Sequence, residues 1–177
     1  MAEHPEPDSH FRLMSWIYQV RDLFRPRKNI LKEVGLNEGF QVLDYGCGPG
    51  SYLIPVANLI GPSGKIYALD IHPLALEMVK KRAAQGRLAN VITIQSDGLT
   101  GLPGQSLDVG LLYDVFHDLE QPGRVLRELH RVLKPGGILS FSDHHLQEAE
   151  IISAVTKDGL FRLASKGKKT YAFHSVG

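Results

Sequence analysis

The chain has 177 residues, with 20 lysines and arginines against 19 acids and a formal net charge of +1. A charge this close to neutral argues against broad electrostatic attraction to nucleic acid, so no nucleic-acid partner is expected. The length suits one domain with a sizeable core. No apolar run approaches the roughly 18 residues of a membrane span, and no signal-peptide pattern is visible. The single cysteine, Cys47, precludes an intrachain disulfide. A cytoplasmic location is the expectation.

Residues 2–9 are polar and carry two prolines, a pattern of disorder. From Phe11 a helix is expected, with Leu13, Ile17, Val20 and Phe24 on one face and Trp16 beside them, stopping before Pro26. Three readings of this helix stand. It packs on the body of the protein, it forms a lid that offers Phe11, Trp16 or Tyr18 to a substrate, or it makes a homodimer contact through Leu13, Ile17 and Val20. Residues 1–25 are therefore set apart as an N-terminal extension, and residues 26–177 as one domain.

The run Val42-Leu43-Asp44-Tyr45-Gly46-Cys47-Gly48-Pro49-Gly50 comes next. An apolar strand ends in an acid, and glycine then recurs at every second position. Glycine permits a sharp turn and a close approach to a ligand because it has no Cβ. The apolar segment Tyr52 to Ile60 follows as a helix, and its N-terminus turns N–H groups and a positive dipole end toward the loop. The spacing differs from the dinucleotide pattern, since Ser51 stands where a third glycine is wanted. No Lys-Ser/Thr pair follows, so the P-loop pattern fails as well.

Lys65 to Asp70 reads as a second buried strand ending in a carboxylate. An acid there accepts ribose hydroxyls in doubly wound folds; alternatively Asp70 caps the helix that opens at Pro73. Ile71 is placed to pack on an adenine ring. Further strands are expected at Asn90–Gln95, Asp108–Leu112 and Gly137–Ser142, with helices over Pro73–Arg87 and Pro122–Lys134. In the second of these helices Val125, Leu126, Leu129, Val132 and Leu133 share one face, with Arg124, Arg127, Glu128 and Arg131 largely on the other. A short helix over Glu150–Lys157 precedes strand-like runs at Leu160–Lys166 and Thr170–Val176, joined by a hairpin turn at Gly167-Lys168-Lys169. Strands alternating with helices imply an α/β, doubly wound, mostly parallel sheet. Right-handed crossovers gather its ligand-binding strand ends on one edge.

The D-x-G-x-G-x-G string at Asp44, Gly46, Cys47, Gly48 and Gly50 resembles motif I of the class I S-adenosylmethionine-dependent methyltransferases. Three further segments extend the resemblance: Ser96-Asp97-Gly98 after the third strand, Tyr113-Asp114-Val115-Phe116-His117 after the fourth, and Arg131 to Gly137 before the fifth. It covers roughly residues 30 to 177, and the small-molecule and quinone C-methyltransferases look closest. The resemblance implies S-adenosyl-L-methionine as cofactor and a Rossmann-like sheet of seven strands in the order 3-2-1-4-5-7-6 with a C-terminal antiparallel hairpin. It places Asp97 against the adenine amino group and Tyr113 among the cofactor-binding residues. It also treats Cys47 as a small packing residue, although the thiol could be read as a nucleophile. Quinone methyltransferases carry a long cap between the fifth strand and the last hairpin; here only His144 to Gly159 lies there, which argues against a quinone. One thiol cannot supply an arsenic site. The chain also lacks the Asn/Asp-Pro-Pro-Tyr/Phe motif of amino-methylating enzymes.

Methyl transfer by such a fold is chiefly positioning, with a base where the acceptor carries a proton. His117 and His144 are the candidate catalytic bases, with Asp143 and His145 beside them on the ligand edge. Asp143, His144 and His145 are metal-ligating types, but their spacing specifies no site and no metal is predicted. Lys166, Lys168 and Lys169 read as a solvated turn. The expected partner is a small-molecule methyl acceptor entering over Tyr113, His117, Asp143 and His144, with the N-terminal helix as roof. The alternative from another class is a non-catalytic S-adenosylmethionine-binding protein or partner subunit.

Overall fold

The computed structural model describes residues 7–9, 11–13, 15, 17 and 27–177. Seven strands form one sheet: β1 (Gln41–Tyr45), β2 (Lys65–Asp70), β3 (Val91–Gln95), β4 (Leu107–Tyr113), β5 (Leu133–Ser142), β6 (Phe161–Lys166) and β7 (Tyr171–Ser175). Their order is β3-β2-β1-β4-β5-β7-β6. The first five are parallel, while β7 runs antiparallel to both β5 and β6. With them stand the helices α1 (Lys28–Leu31), α2 (Leu53–Ile60), α3 (Pro73–Gln85), α4 (Pro122–Val132) and α5 (Glu148–Thr156). Chain direction around the sheet reverses between β1 and β4, the place where doubly wound sheets open a crevice.

Both faces of the sheet centre are covered, which is why β1, β2 and β4 are largely apolar and buried rather than alternating. Val42, Ile66 and Val109 pack with α1, α2 and α3 on one side. Leu43, Leu69, Leu112 and Phe141 pack with α4 and α5 on the other. Consecutive residues such as Val42 and Leu43 thus serve opposite cores, as the two-residue period of a strand requires.

Three expectations need correction. Helix α4 stops at Val132, because Leu133 is drawn into the sheet opposite Leu107, where a register shift follows. Glu128 is buried, not on the solvent face: its Oε1 accepts from Thr100 Oγ1 at 2.6 Å and from Thr100 N–H at 2.9 Å, and Arg131 Nε donates to Oε2 at 2.7 Å. Burial alone would raise this acid, but those hydrogen bonds outweigh it and bring its pKa to about 2. Asp8 and Ser9, expected in a disordered segment, are helical.

The N-terminal helix is described at residues 11–13, 15 and 17. Phe11 stacks on His72 with ring centroids 4.2 Å apart, and Asp8 lies 3.7 Å from the same imidazole. That contact is at the carboxyl end of β2, not over the ends of β4 and β5. Leu13 and Ile17 are 56% and 41% exposed. Trp16, Tyr18, Val20, Phe24 and the stop before Pro26 lie outside the described residues. No helix among the described residues is long and apolar enough to cross a membrane.

Candidate functional site

The glycine loop folds back onto the end of β2. Gly46 and Cys47 donate their N–H groups to the Leu69 carbonyl at 2.8 and 2.9 Å. Gly48 donates to Asp70 Oδ2 at 2.8 Å, and the His72 N–H reaches Asp70 Oδ1 at 2.9 Å. Asp70 therefore braces the loop. The cap of α3 is His72, whose Nδ1 accepts from the Leu74 N–H at 3.2 Å. Each Asp70 oxygen keeps a further acceptor direction, which leaves room for ligand hydroxyls.

The three loop glycines all have positive φ but different surroundings. A Cβ on Gly46 would fall 2.4 Å from Val115 Cγ2, and one on Gly50 would fall 3.0 Å from Val79 Cγ2. Those two let neighbouring elements pack. A Cβ on Gly48 would meet nothing within 4 Å, because Gly48 fronts a cavity of about 300 Å³. Asp44, Gly46, Cys47, Gly48 and Tyr113 stand in the wall of this cavity. Asp70, Ile71, Ser96, Asp97 and Gly98 stand at the adjoining ends of β2 and β3. There Gly98 donates to Ser96 Oγ at 3.2 Å, and Asp97, with its side chain 58% exposed, lies 4.0 Å from Arg124.

Buried acids set the charge of this cavity. Burial, and then the charge of Asp70, push Asp44 from 3.8 to about 7. Burial also raises Asp70, against the lowering effect of the His72 and Gly48 N–H groups. Two acids held in this way suit a cationic ligand, which would favour their charged forms. Burial and the same two acids push the Cys47 thiol well above its ordinary value, so it is not a poised nucleophile.

The ends of β4 and β5 supply the histidines. Tyr113 is buried, with its hydroxyl 2.6 Å from Ser140 Oγ and its ring 4.9 Å from Tyr52. The Asp143 side chain is fully hidden. Its Oδ2 lies 2.9 Å from His117 Nδ1 and accepts the His117 N–H at 3.1 Å, while Oδ1 accepts the His145 N–H at 3.0 Å. Burial opposes the charge of Asp143, but these hydrogen bonds prevail and hold it below its ordinary value. His117 Nε2 lies 3.3 Å from Asp118, so both its ring nitrogens face carboxylates. His144 is more open, with its side chain 67% exposed and Nδ1 2.9 Å from Asp114 Oδ1. The His145 ring lies 4.0 Å from His117 and 3.9 Å from His144. Asp114, Asp143 and His144 bring metal-ligating atoms within 4.8 Å of one another, but His117, His144 and backbone N–H groups already engage the two acids.

A second cavity, of about 720 Å³, adjoins the first and shares Tyr52, Asp114 and His144 with it. Its walls come from distant parts of the chain: Arg27 and Ile30 at α1, Asp143 after β5, and the hairpin residues Lys166 to Lys169. Glu33 ties these parts together. Its Oε2 accepts from Thr170 Oγ1 at 2.9 Å and from the Lys169 and Thr170 N–H groups at 3.1 Å each. Lys166, Lys168 and Lys169 are exposed, as a solvated turn requires, and the turn that carries them also borders this cavity, beside α1. Arg27, Glu33 and Tyr52 carry no sequence signal for this role. Asp114 did, as an acid at the end of a buried strand.

A family model described as a methyltransferase domain matches residues 36–174. The demethylmenaquinone methyltransferase of Geobacillus stearothermophilus is 29% identical over 131 residues, 73% of this chain and 56% of that protein. Its namesake from Listeria monocytogenes is 32% identical over 118 residues, 66% of this chain and 50% of that protein. The chain spans about half the length of the curated relatives it matches. A solved SAM-dependent methyltransferase from Aquifex aeolicus superposes with a TM-score of 0.74 at 26% identity, covering 89% of this chain and 96% of that one. S-adenosylmethionine is the cofactor of such proteins. From the match over residues 36–174 and the shared sheet, the chain belongs to the class I S-adenosylmethionine-dependent methyltransferase family.

Proposed function

We propose that the protein transfers a methyl group from S-adenosylmethionine to a small molecule seated in the 720 Å³ cavity. The observation that carries this is the meeting of two cavities at Tyr52, Asp114 and His144: one is walled by the glycine loop and acids, the other is roomy and polar. The cofactor would be held by Asp44, Gly46, Gly48 and Tyr113 in the smaller cavity. Asp70 and Ile71 would serve its ribose and adenine, and Ser96, Asp97 and Gly98 the far edge of the base. When bound, S-adenosylmethionine supplies a methyl group made electrophilic by its sulfonium, and the carbon–sulfur electron pair stays with sulfur as the bond to the acceptor forms.

The chain's own residues orient the acceptor and take its proton. His144 suits the second task better than His117. Asp114 engages only its Nδ1, and the residue lines both cavities, whereas both nitrogens of His117 face carboxylates. His117 then serves to fix Asp143 and the turn that carries His144. A non-catalytic binding protein would not need a second cavity open to the first, which weighs against that alternative. The relatives are named for demethylmenaquinone; the charged lining here favours a more polar acceptor. Incubating the protein with methyl-labelled S-adenosylmethionine and pooled small-molecule extracts should place label in a small-molecule product. Tight binding of S-adenosylhomocysteine with no label in any fraction would overturn the reading.

A further inference from the structure

The larger cavity is electrically polarised. Four cationic side chains, Arg27, Lys166, Lys168 and Lys169, share its wall with two carboxylates, Asp114 and Asp143. The carboxylates stand at the end that joins the cofactor cavity, and both are committed: Asp114 to His144, and Asp143 to His117 and to backbone N–H groups. The three lysines stand at the hairpin, and Arg27 stands before α1, against Tyr52. Lys166 is paired with Glu148. Lys168 and Lys169 have no ion-pair partner among the described residues. The backbone that carries them is held, because Glu33 accepts hydrogen bonds from the Lys169 and Thr170 N–H groups and from the Thr170 hydroxyl. Arg27 is only 9% exposed, and it is anchored to Tyr52 by a 3.2 Å hydrogen bond and by its guanidinium 5.3 Å from the ring.

We propose that this cavity takes an acceptor bearing an oxyanion, a carboxylate or a phosphate, with Arg27, Lys168 and Lys169 around the anion and the methyl-accepting atom beside His144. The proposal rests on the methyl-transfer reading above. An anion is repelled by Asp114 and Asp143 and attracted by the hairpin lysines and by Arg27 on the opposite wall, which favours one of the two ways a small molecule could enter. That orientation is what a positioning enzyme needs. A guanidinium offers a planar fork that matches either oxyanion, and two ammonium groups add point charges without demanding one geometry.

The test uses the full chain, with inorganic phosphate and benzoate as probes. Each is titrated at constant ionic strength, so that screening does not change, with and without S-adenosylhomocysteine, and followed by NMR line shape. Saturable binding of at least one probe is expected: phosphate alone would assign a phosphate ester, benzoate alone a carboxylate. The double variant Lys168→Ala/Lys169→Ala should weaken that probe by about tenfold or more, as loss of hydrogen bonds to a charged group implies, and leave S-adenosylhomocysteine affinity unchanged. Arg27→Met should weaken it as well. No saturable binding, or equal binding by wild type and the lysine variant, would overturn the proposal. Failure of S-adenosylhomocysteine to bind would instead overturn the methyl-transfer reading, and the probe titrations without it would still decide the anion site.

Discussion

The two cavities that meet at His144 are built by different means. The smaller one is built on a main-chain loop after β1, braced by Asp70 on the Gly48 and His72 N–H groups, with the segments that follow β4 and β5 closing its other side. Around the larger one the groups are side chains from segments more than a hundred residues apart, joined by Glu33 and the hairpin. Backbone placement makes the first cavity insensitive to most side-chain changes but intolerant of added bulk. Side-chain placement makes the second easy to reshape, so differences in acceptor among proteins of this fold belong there.

The largest effect expected from breaking this contrast is at Gly48. Gly48→Val puts a branched side chain into the open space of the small cavity at a positive φ, a conformation that costs a non-glycine residue about 1–3 kcal/mol. Binding of S-adenosylhomocysteine should fall below detection by calorimetry while circular dichroism reports an intact fold. Retained affinity in a folded variant would remove the loop from the cofactor site. The larger cavity should answer to changes in chemistry instead. His144→Gln should lower kcat by about 10²–10⁴-fold, the range for loss of a general base, with little change in cofactor affinity. An unchanged rate would reduce that cavity's contribution to positioning alone.

A third comparison concerns pH. Asp44 has a folded pKa of about 7, raised from 3.8. A raised folded value means its stability contribution is full below pH 3.8 and is lost as pH rises through about 7. The loss is on the order of 4 kcal/mol at most. Asp44→Asn should therefore raise the melting temperature of the ligand-free protein at pH 8 and bring little gain at pH 4, as read by thermal unfolding. Asp143, held below its ordinary value, has the opposite sense: its contribution is present near neutrality and is lost as pH falls through that lowered value. The smallest of these effects is at β2. Asp70→Ala should weaken S-adenosylhomocysteine by about 1–3 kcal/mol, part of it through the unbraced Gly48. Asp70→Asn, which keeps one acceptor oxygen, should lose less, and equal losses would show that only the charge matters.

The same contrast decides what could be read from the sequence. The strands and the glycine loop were legible because their signals are local: apolar runs of five or six residues, an acid at the strand end, and glycines at fixed spacing; the strand order came only from the family resemblance. The ligand edge then follows from chain direction. Helix α4 was misjudged at its end because Leu133 satisfies a helical period and a strand pairing equally, and only the opposing Leu107 decides. Glu128 looked solvated because its partner Thr100 lies 28 residues away. The wall of the larger cavity was illegible for the same reason, since no local pattern links Arg27 or Glu33 to Lys169. His72 and Asp114 lay beside residues that were singled out; the His72 cap is a local contact, whereas Asp114 acts through His144, 30 residues away.

The Glu33 clamp has a consequence in time as well as in space. Glu33 and Thr170 are 137 residues apart, and contacts of long sequence separation bear the largest loop-closure cost, so they are the last to form and the first to open. The cofactor crevice, made from neighbouring strands, can exist in a chain whose hairpin has not yet docked, whereas the acceptor chamber comes into being only when the early and late parts of the chain are latched. Amide hydrogen exchange should show this order. The Lys169 and Thr170 amides should exchange faster than those of β1 and β4, and Glu33→Gln should speed them further while leaving the central strands untouched.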